Sequence, residues 1–274
     1  RDIDGFATEL RNPKFKRQGY VLRPTAKKVL LYAESDAGED YGRLTAAKLL
    51  QGGQIEDVEI IDYPAFEFRA VVESFWGKHW TWEERKDVMH ETATHGRFNW
   101  FVFAPCDYHL KSNWREPLEP DYRERIQDLI EFGHRHRPRV NFAYEIMPAG
   151  MDMSPCSGDR EKLIRSCEEL IGLGVDSLYM AYDFVDDYKL VKNEKHDTVP
   201  NGPVAMTNEL WKLFSDQGVK IGFVPISYYG LKDSDYLRFI GDQLNPEILV
   251  AWSGPKIRSG EITAEQAQRY GGFI

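Results

Sequence analysis

Cysteine is scarce: Cys106, Cys156 and Cys167 are the only three in 274 residues. An odd, widely spaced trio cannot make a fully paired disulfide framework, and its spacings match no zinc ribbon or finger. The thiols therefore read as free and no metal is expected. Also missing is any apolar run near the roughly 20 residues needed to span a bilayer. The expectation is a soluble chain, cytoplasmic or secreted after removal of a signal segment. A basic excess is absent as well. With 44 acidic against 35 basic residues and a formal charge of -9, no broad phosphate-binding surface is available, which sets nucleic acid aside. No Gly-x-Gly-x-x-Gly turn follows an early strand and no Gly-x-Ser-x-Gly elbow occurs. Dinucleotide cofactors and that class of serine hydrolase lose their signatures, and no cofactor is expected.

Aromatic residues are plentiful, 13% of the chain with seven Trp and 14 Tyr. They suit a packed core and equally suit the apolar faces of sugar rings. Strand patterns at Lys27 to Tyr32 and Val58 to Tyr63 flank a helical pattern at Tyr41 to Leu50, a small α/β module. Asp62-Tyr63-Pro64 then marks a boundary, giving residues 1–68 as a small N-terminal α/β domain and 69–274 as a larger one. In the larger one, strand candidates recur at Ala70 to Phe75, Trp100 to Ala104, Val140 to Ile146, Ser177 to Tyr182, Lys220 to Pro225 and Ile248 to Trp252. Helical segments between them include Thr81 to His95, Pro120 to Arg135, Asp159 to Leu173 and Val204 to Asp216. Such alternation predicts a parallel sheet with crossover helices, a (β/α) barrel or an open doubly wound sheet. A closed barrel has eight units and six are visible, so the barrel reads as incomplete. A fragment, a companion chain or a different closure would each account for that.

Several ordered segments carry a family likeness. Arg69-Ala70-Val71-Val72-Glu73-Ser74-Phe75-Trp76-Gly77 opens the barrel, and Phe103-Ala104-Pro105-Cys106-Asp107 follows the second strand. Further on come Asn113-Trp114-Arg115-Glu116-Pro117, Tyr182-Asp183-Phe184, Phe223 to Gly230, Trp252-Ser253-Gly254-Pro255 and the Ile262-Thr263-Ala264 run. Together they resemble glycoside hydrolase family 84, the β-N-acetylglucosaminidases and O-GlcNAcases, and the likeness favours the barrel over the open sheet.

The resemblance implies substrate-assisted retaining hydrolysis of N-acetylhexosamine glycosides. One carboxylate after the fourth strand orients the acetamido group and its neighbour protonates the leaving oxygen. Asp183 matches the orienting residue, but Phe184 stands where the acid belongs, and a phenyl ring has no proton to transfer. Ser74 replaces a glycine that approaches the sugar closely, and Cys106, beside Asp107, replaces a lysine that bonds it. Gly77 closes the first motif, Tyr228 matches a tyrosine on the acetamido group, and Trp252 matches an aromatic at the pocket wall. The implied ligand is an N-acetylhexosamine-containing carbohydrate, and the implied activity is weak, altered or lost.

Glu145 is the replacement acid to test, since it lies near the C-terminal end of the third barrel strand, where the family has a small residue. Against it stands a structural carboxylate held by a partner. Asp186 and Asp187 read as solvated or helix-capping. His134-Arg135-His136 reads as a solvated helix end, and His79, His95 and His109 are too scattered for a zinc site. A Cys106–His109 hydrolase or a non-catalytic module with a protein partner completing the barrel are the remaining alternatives.

Overall fold

The computed structural model describes residues 10–24, 28–51, 58–74, 77–104, 113–152, 158–182 and 201–274. The chain divides into two compact units, one of Arg1–Val71, Trp80–Phe101 and Glu131–Asn141, the other of Val72–His79, Val102–Ile130 and Phe142–Ile274.

The first unit begins with a short helix, α1 (Pro13–Gln18), whose Asn12 caps the Lys14 amide and whose Pro13 spends no useful donor at the first helical position. Strand β1 (Tyr20–Pro24) follows, then β2 (Val29–Ala33), helix α2 (Asp36–Gln51) and β3 (Ile60–Asp62). The three strands pair antiparallel in the order β2-β1-β3. Alternation along β1 divides the core in two. Tyr20 and Leu22 pack with Tyr41 of α2, Leu31 and Ile60, while Val21 turns the other way against Phe15 of α1, Ile61 and Tyr63. At Gly38 a Cβ would stand 2.1 Å from the Gly19 carbonyl oxygen, so α2 meets that turn only because the position is glycine. The sequence pattern missed β1, which carries the middle of the sheet.

Arg69 anchors the segment that leads into β4. Its guanidinium donates to the carbonyls of Phe66 and Arg97 at 2.7 Å each and to the Tyr41 hydroxyl at 2.8 Å, and its amide donates to Asn99 Oδ1 at 2.9 Å. The histidines near 134–136 are more engaged than expected: His136 is half-buried, with one ring nitrogen 2.7 Å from the Pro138 carbonyl and the other 2.9 Å from His90 Nδ1.

A second sheet runs through β4 (Ala70–Glu73), β5 (Trp100–Phe103), β6 (Asn141–Ile146), β7 (Ser177–Ala181), β8 (Lys220–Val224) and β9 (Leu249–Val250), neighbours in chain order. The strands are parallel from β6 to β9, and the sheet curls as half of a (β/α) barrel. The helices between are α3 (Trp82–Gly96), α4 (Pro120–Arg135), α5 (Asp159–Leu173) and α6 (Asn201–Phe214). After β8 come α7 (Asp235–Gln243) and, past β9, α8 (Ala264–Gly271). Helix starts are encoded locally: Thr81 and Glu84 make a capping box on α3, Thr263 and Gln266 another on α8, and Ser234 caps α7.

In the second unit, side chains sort by strand parity. Phe103, Phe142 and Tyr144 form an aromatic run that meets Tyr122 of α4, with centroids 5.4–6.3 Å apart. Tyr144 and Ile146 also line a cavity with Ser166 and Leu170 of α5. Those positions therefore face the helices, and Ala143 and Glu145 face the inside of the curl.

Candidate functional site

In open or barrel α/β sheets the chemistry sits beyond the C-terminal strand ends. Ser74 follows β4 and is exposed, and Gly77, exposed three residues on, has a φ of 113° that favours glycine. Glu73, the last residue of β4, is wholly buried. Sequence reading passed it over, although a carboxylate within an apolar strand pattern was the available signal. Cys106, Asp107, His109, Asp183, Phe184, Asp186 and Asp187 lie outside the described residues.

Glu145 is half-buried on the inner face and pairs in register with Tyr179 of β7, which pairs with Gly222 of β8. The Tyr179 ring occupies the space above Gly222, where a Cβ would stand 2.4 Å from Tyr179 Cδ1. Burial first, and then the charge of Glu145, push the Tyr179 phenol up to about 12. Glu145 thus lies level with Tyr179, three residues before Tyr182, and at about 3.3 Å per residue that is roughly 10 Å along the strand.

Tyr228 and Trp252 sit on the connections after β8 and β9, which are laced together. Ser253 N–H donates to the Tyr228 carbonyl at 2.8 Å and Gly230 N–H to the Gly254 carbonyl at 2.9 Å. The Trp252 indole N–H donates to the Gly230 carbonyl at 3.0 Å. Its ring stacks on Tyr270 of α8, centroids 4.8 Å apart and planes 15° from parallel. Tyr228 is half-buried beside the exposed Tyr229 at 5.4 Å. The structure thus brings Tyr228 and Trp252 to one rim and keeps Glu145 deeper.

Among the described residues, no group of three or more His, Cys, Asp or Glu is placed to hold a metal. Cys167 of α5 is completely buried, and burial raises its thiol well above the usual range. Among the described residues no helix is long and apolar enough to cross a membrane.

Consecutive parallel strands, crossover helices and loops gathered beyond the strand ends define the class, a partial (β/α)-barrel domain. The chain belongs to the β-N-acetylglucosaminidase family, glycoside hydrolase family 84, whose model matches residues 69–272. It is similar to Protein O-GlcNAcase of Rattus norvegicus and of Mus musculus, each 28% identical over 214 residues. Those matches take in 74% of this chain but 23% of theirs, so the chain spans about a quarter of the curated relatives' length. Among solved structures it is similar to an O-GlcNAc hydrolase of Thermobaculum terrenum, solved as a point variant, with a TM-score of 0.69 and 25% identity over 76% of this chain and 45% of that one.

Proposed function

We propose that this domain holds an N-acetylhexosamine-containing glycoside at the C-terminal end of its curled sheet and hydrolyses it weakly, in altered fashion, or not at all. The observation that carries this reading is Asp183-Phe184, within the family match. Asp183 keeps the carboxylate that orients an acetamido group, so the sugar's own oxygen can still attack the anomeric carbon. Phe184 cannot protonate the departing oxygen, and losing a general acid costs about 10² to 10⁴ in rate. Ser74, Gly77, Cys106, Asp107, Tyr228 and Trp252 complete the pocket in this reading, with residues 1–68 a small preceding domain. Ser74 and Cys106 replace a glycine and a lysine that the resemblance puts on the sugar, so affinity is expected to be lower than with those groups.

Titration with N-acetylglucosamine, followed by heat or by the fluorescence of the abundant Trp, tests the pocket. Saturable binding weakened by Asp183→Ala supports it. Absence of binding to the free sugar and to its aryl β-glycoside removes it.

A second reading has one observation behind it. Glu145 is a half-buried carboxylate facing the inside of the curl, in register with Tyr179, near the strand ends where a barrel's chemistry lies. Here Glu145 supplies the proton on a different glycoside. Activity that Glu145→Gln leaves unchanged would end that reading.

A further inference from the structure

The Trp114-Arg115 pair belongs to a motif that the proposed chemistry does not use, and the structure gives it a task. Arg115 lies on the connection after β5, and its guanidinium clasps Asp159 at the start of α5. Nε donates to Oδ1 at 2.9 Å and Nη2 to Oδ2 at 2.6 Å. The same Nη2 donates to the Gly150 carbonyl at 2.6 Å, on the connection after β6. Trp114, fully buried, donates its indole N–H to the neighbouring Ala149 carbonyl at 3.1 Å, and the Arg115 guanidinium lies 4.1 Å from the centre of that indole ring. Asp159 Oδ2 also accepts the Asp152 amide at 3.0 Å.

The Arg115 and Trp114 hydrogen bonds to Asp159, Gly150 and Ala149 join the segments that follow two adjacent strands at their C-terminal ends, the end where a barrel's chemistry lies, while the Asp152 bond to Asp159 fastens the second segment to its own helix. A planar guanidinium is suited to the task, because its rigid fork engages both oxygens of one carboxylate while the same group donates to a backbone carbonyl, a bidentate geometry that an ammonium lacks. Asp159 does not serve as a helix N-cap. That position is Gly158, with φ 69° and no side-chain bond, and the carboxylate serves the clasp together with an ion pair to Lys162 at 3.5 Å.

We propose that Arg115 is a positioning residue: it couples the connection between β5 and α4, in whose sequence Cys106 and Asp107 also stand, to the connection at 147–152. Its effect on sugar affinity rests on the functional reading above, while the coupling itself does not. A merely local structural arginine would loosen its own segment. A coupling arginine loosens both.

The test pairs amide hydrogen exchange with N-acetylglucosamine titration in the parent, Arg115→Lys, Asp159→Asn and the charge swap Arg115→Asp with Asp159→Arg. Exchange in 113–118 and 147–152 is expected to accelerate together by about tenfold in each single variant, the equivalent of about 1.4 kcal/mol of local stability. Exchange elsewhere, including β7 and β8, should stay as in the parent. Sugar affinity should fall about tenfold, with partial recovery in the swap. Acceleration confined to 113–118, or none in either segment, overturns the coupling. Unchanged affinity alongside faster exchange in both segments overturns the positioning role. If the parent binds no sugar, the functional reading fails and the coupling stands or falls on exchange alone. If Asp159→Asn does not fold, Arg115→Lys, which keeps the charge, decides.

Discussion

Replacing Asp159 by Asn should cost stability in a way that fades with acid, and the structure sets the size of the effect. The Arg115 bonds first, then the Asp152 amide and the nearby Lys162 charge, hold the Asp159 carboxyl down to about 2 against an ordinary 3.8. Such a depression corresponds to about 2 kcal/mol of extra stability for the folded carboxylate. The Asp159 side chain is 7% exposed and that of Arg115 27%, so solvent screens the pair from the arginine side and about 1 to 2 kcal/mol is the better expectation. A carboxyl depressed in the folded state contributes its stability above the unfolded value, near 4, and loses it as pH falls through the folded value, near 2. Asparagine keeps the oxygen that accepts from the Asp152 amide but not the charge. Urea unfolding of parent and variant, compared between pH 7 and pH 3, should therefore show a gap of about 1 to 2 kcal/mol that shrinks by about half at the acid end. A gap that is absent at pH 7, or equal at both pH values, refutes the charge-based account of this clasp.

Gly222→Ala should destabilise by about 1 to 3 kcal/mol through overpacking, because the new Cβ would meet the Tyr179 ring at 2.4 Å. In a Tyr179→Ala background the penalty should largely vanish, and a double-mutant cycle by urea unfolding measures that coupling, whereas additive effects would contradict the register. Cys167 should resist alkylation in the native protein, since it is completely buried and its thiol is raised. Mass spectrometry after iodoacetamide should find it modified only once denaturant is present, and native-state labelling would contradict its burial.

The parts of the fold set by local chemistry were legible in advance. The Pro120–Arg135 and Asp159–Leu173 helices and the Ser177 strand start stand where periodicity puts them. Strand β1 was not legible, because Tyr20 to Pro24 includes an arginine and a proline and gets its meaning from α1 and α2 packing on its two faces. Strand β9 is shorter than its apolar pattern, since Ser253 and Trp252 turn their donors to the carbonyls of Tyr228 and Gly230. At the site, alternation alone gives the inward face of Glu145, but its neighbour Tyr179 follows from strand register, a long-range fact. The Arg115–Asp159 clasp spans 44 positions in the chain and was invisible for the same reason. The family motifs, by contrast, could be read directly, because each is a contiguous run of residues.

The central claim, that the domain keeps an acetamido-orienting carboxylate without the acid beside it, is tested most directly by leaving-group dependence. Hydrolysis of an activated aryl N-acetyl-β-glucosaminide and of an alkyl one should be compared in the parent, Asp183→Asn and Phe184→Asp. Aryl oxygen departs with little protonation, while alkyl oxygen needs a donor. Aryl activity should be weak or nil in the parent and in either case lower in Asp183→Asn or equally nil, with alkyl turnover about 10² to 10⁴ slower where any is seen, and a gain in Phe184→Asp. Efficient alkyl hydrolysis by the parent, indifferent to Asp183→Asn, would contradict it.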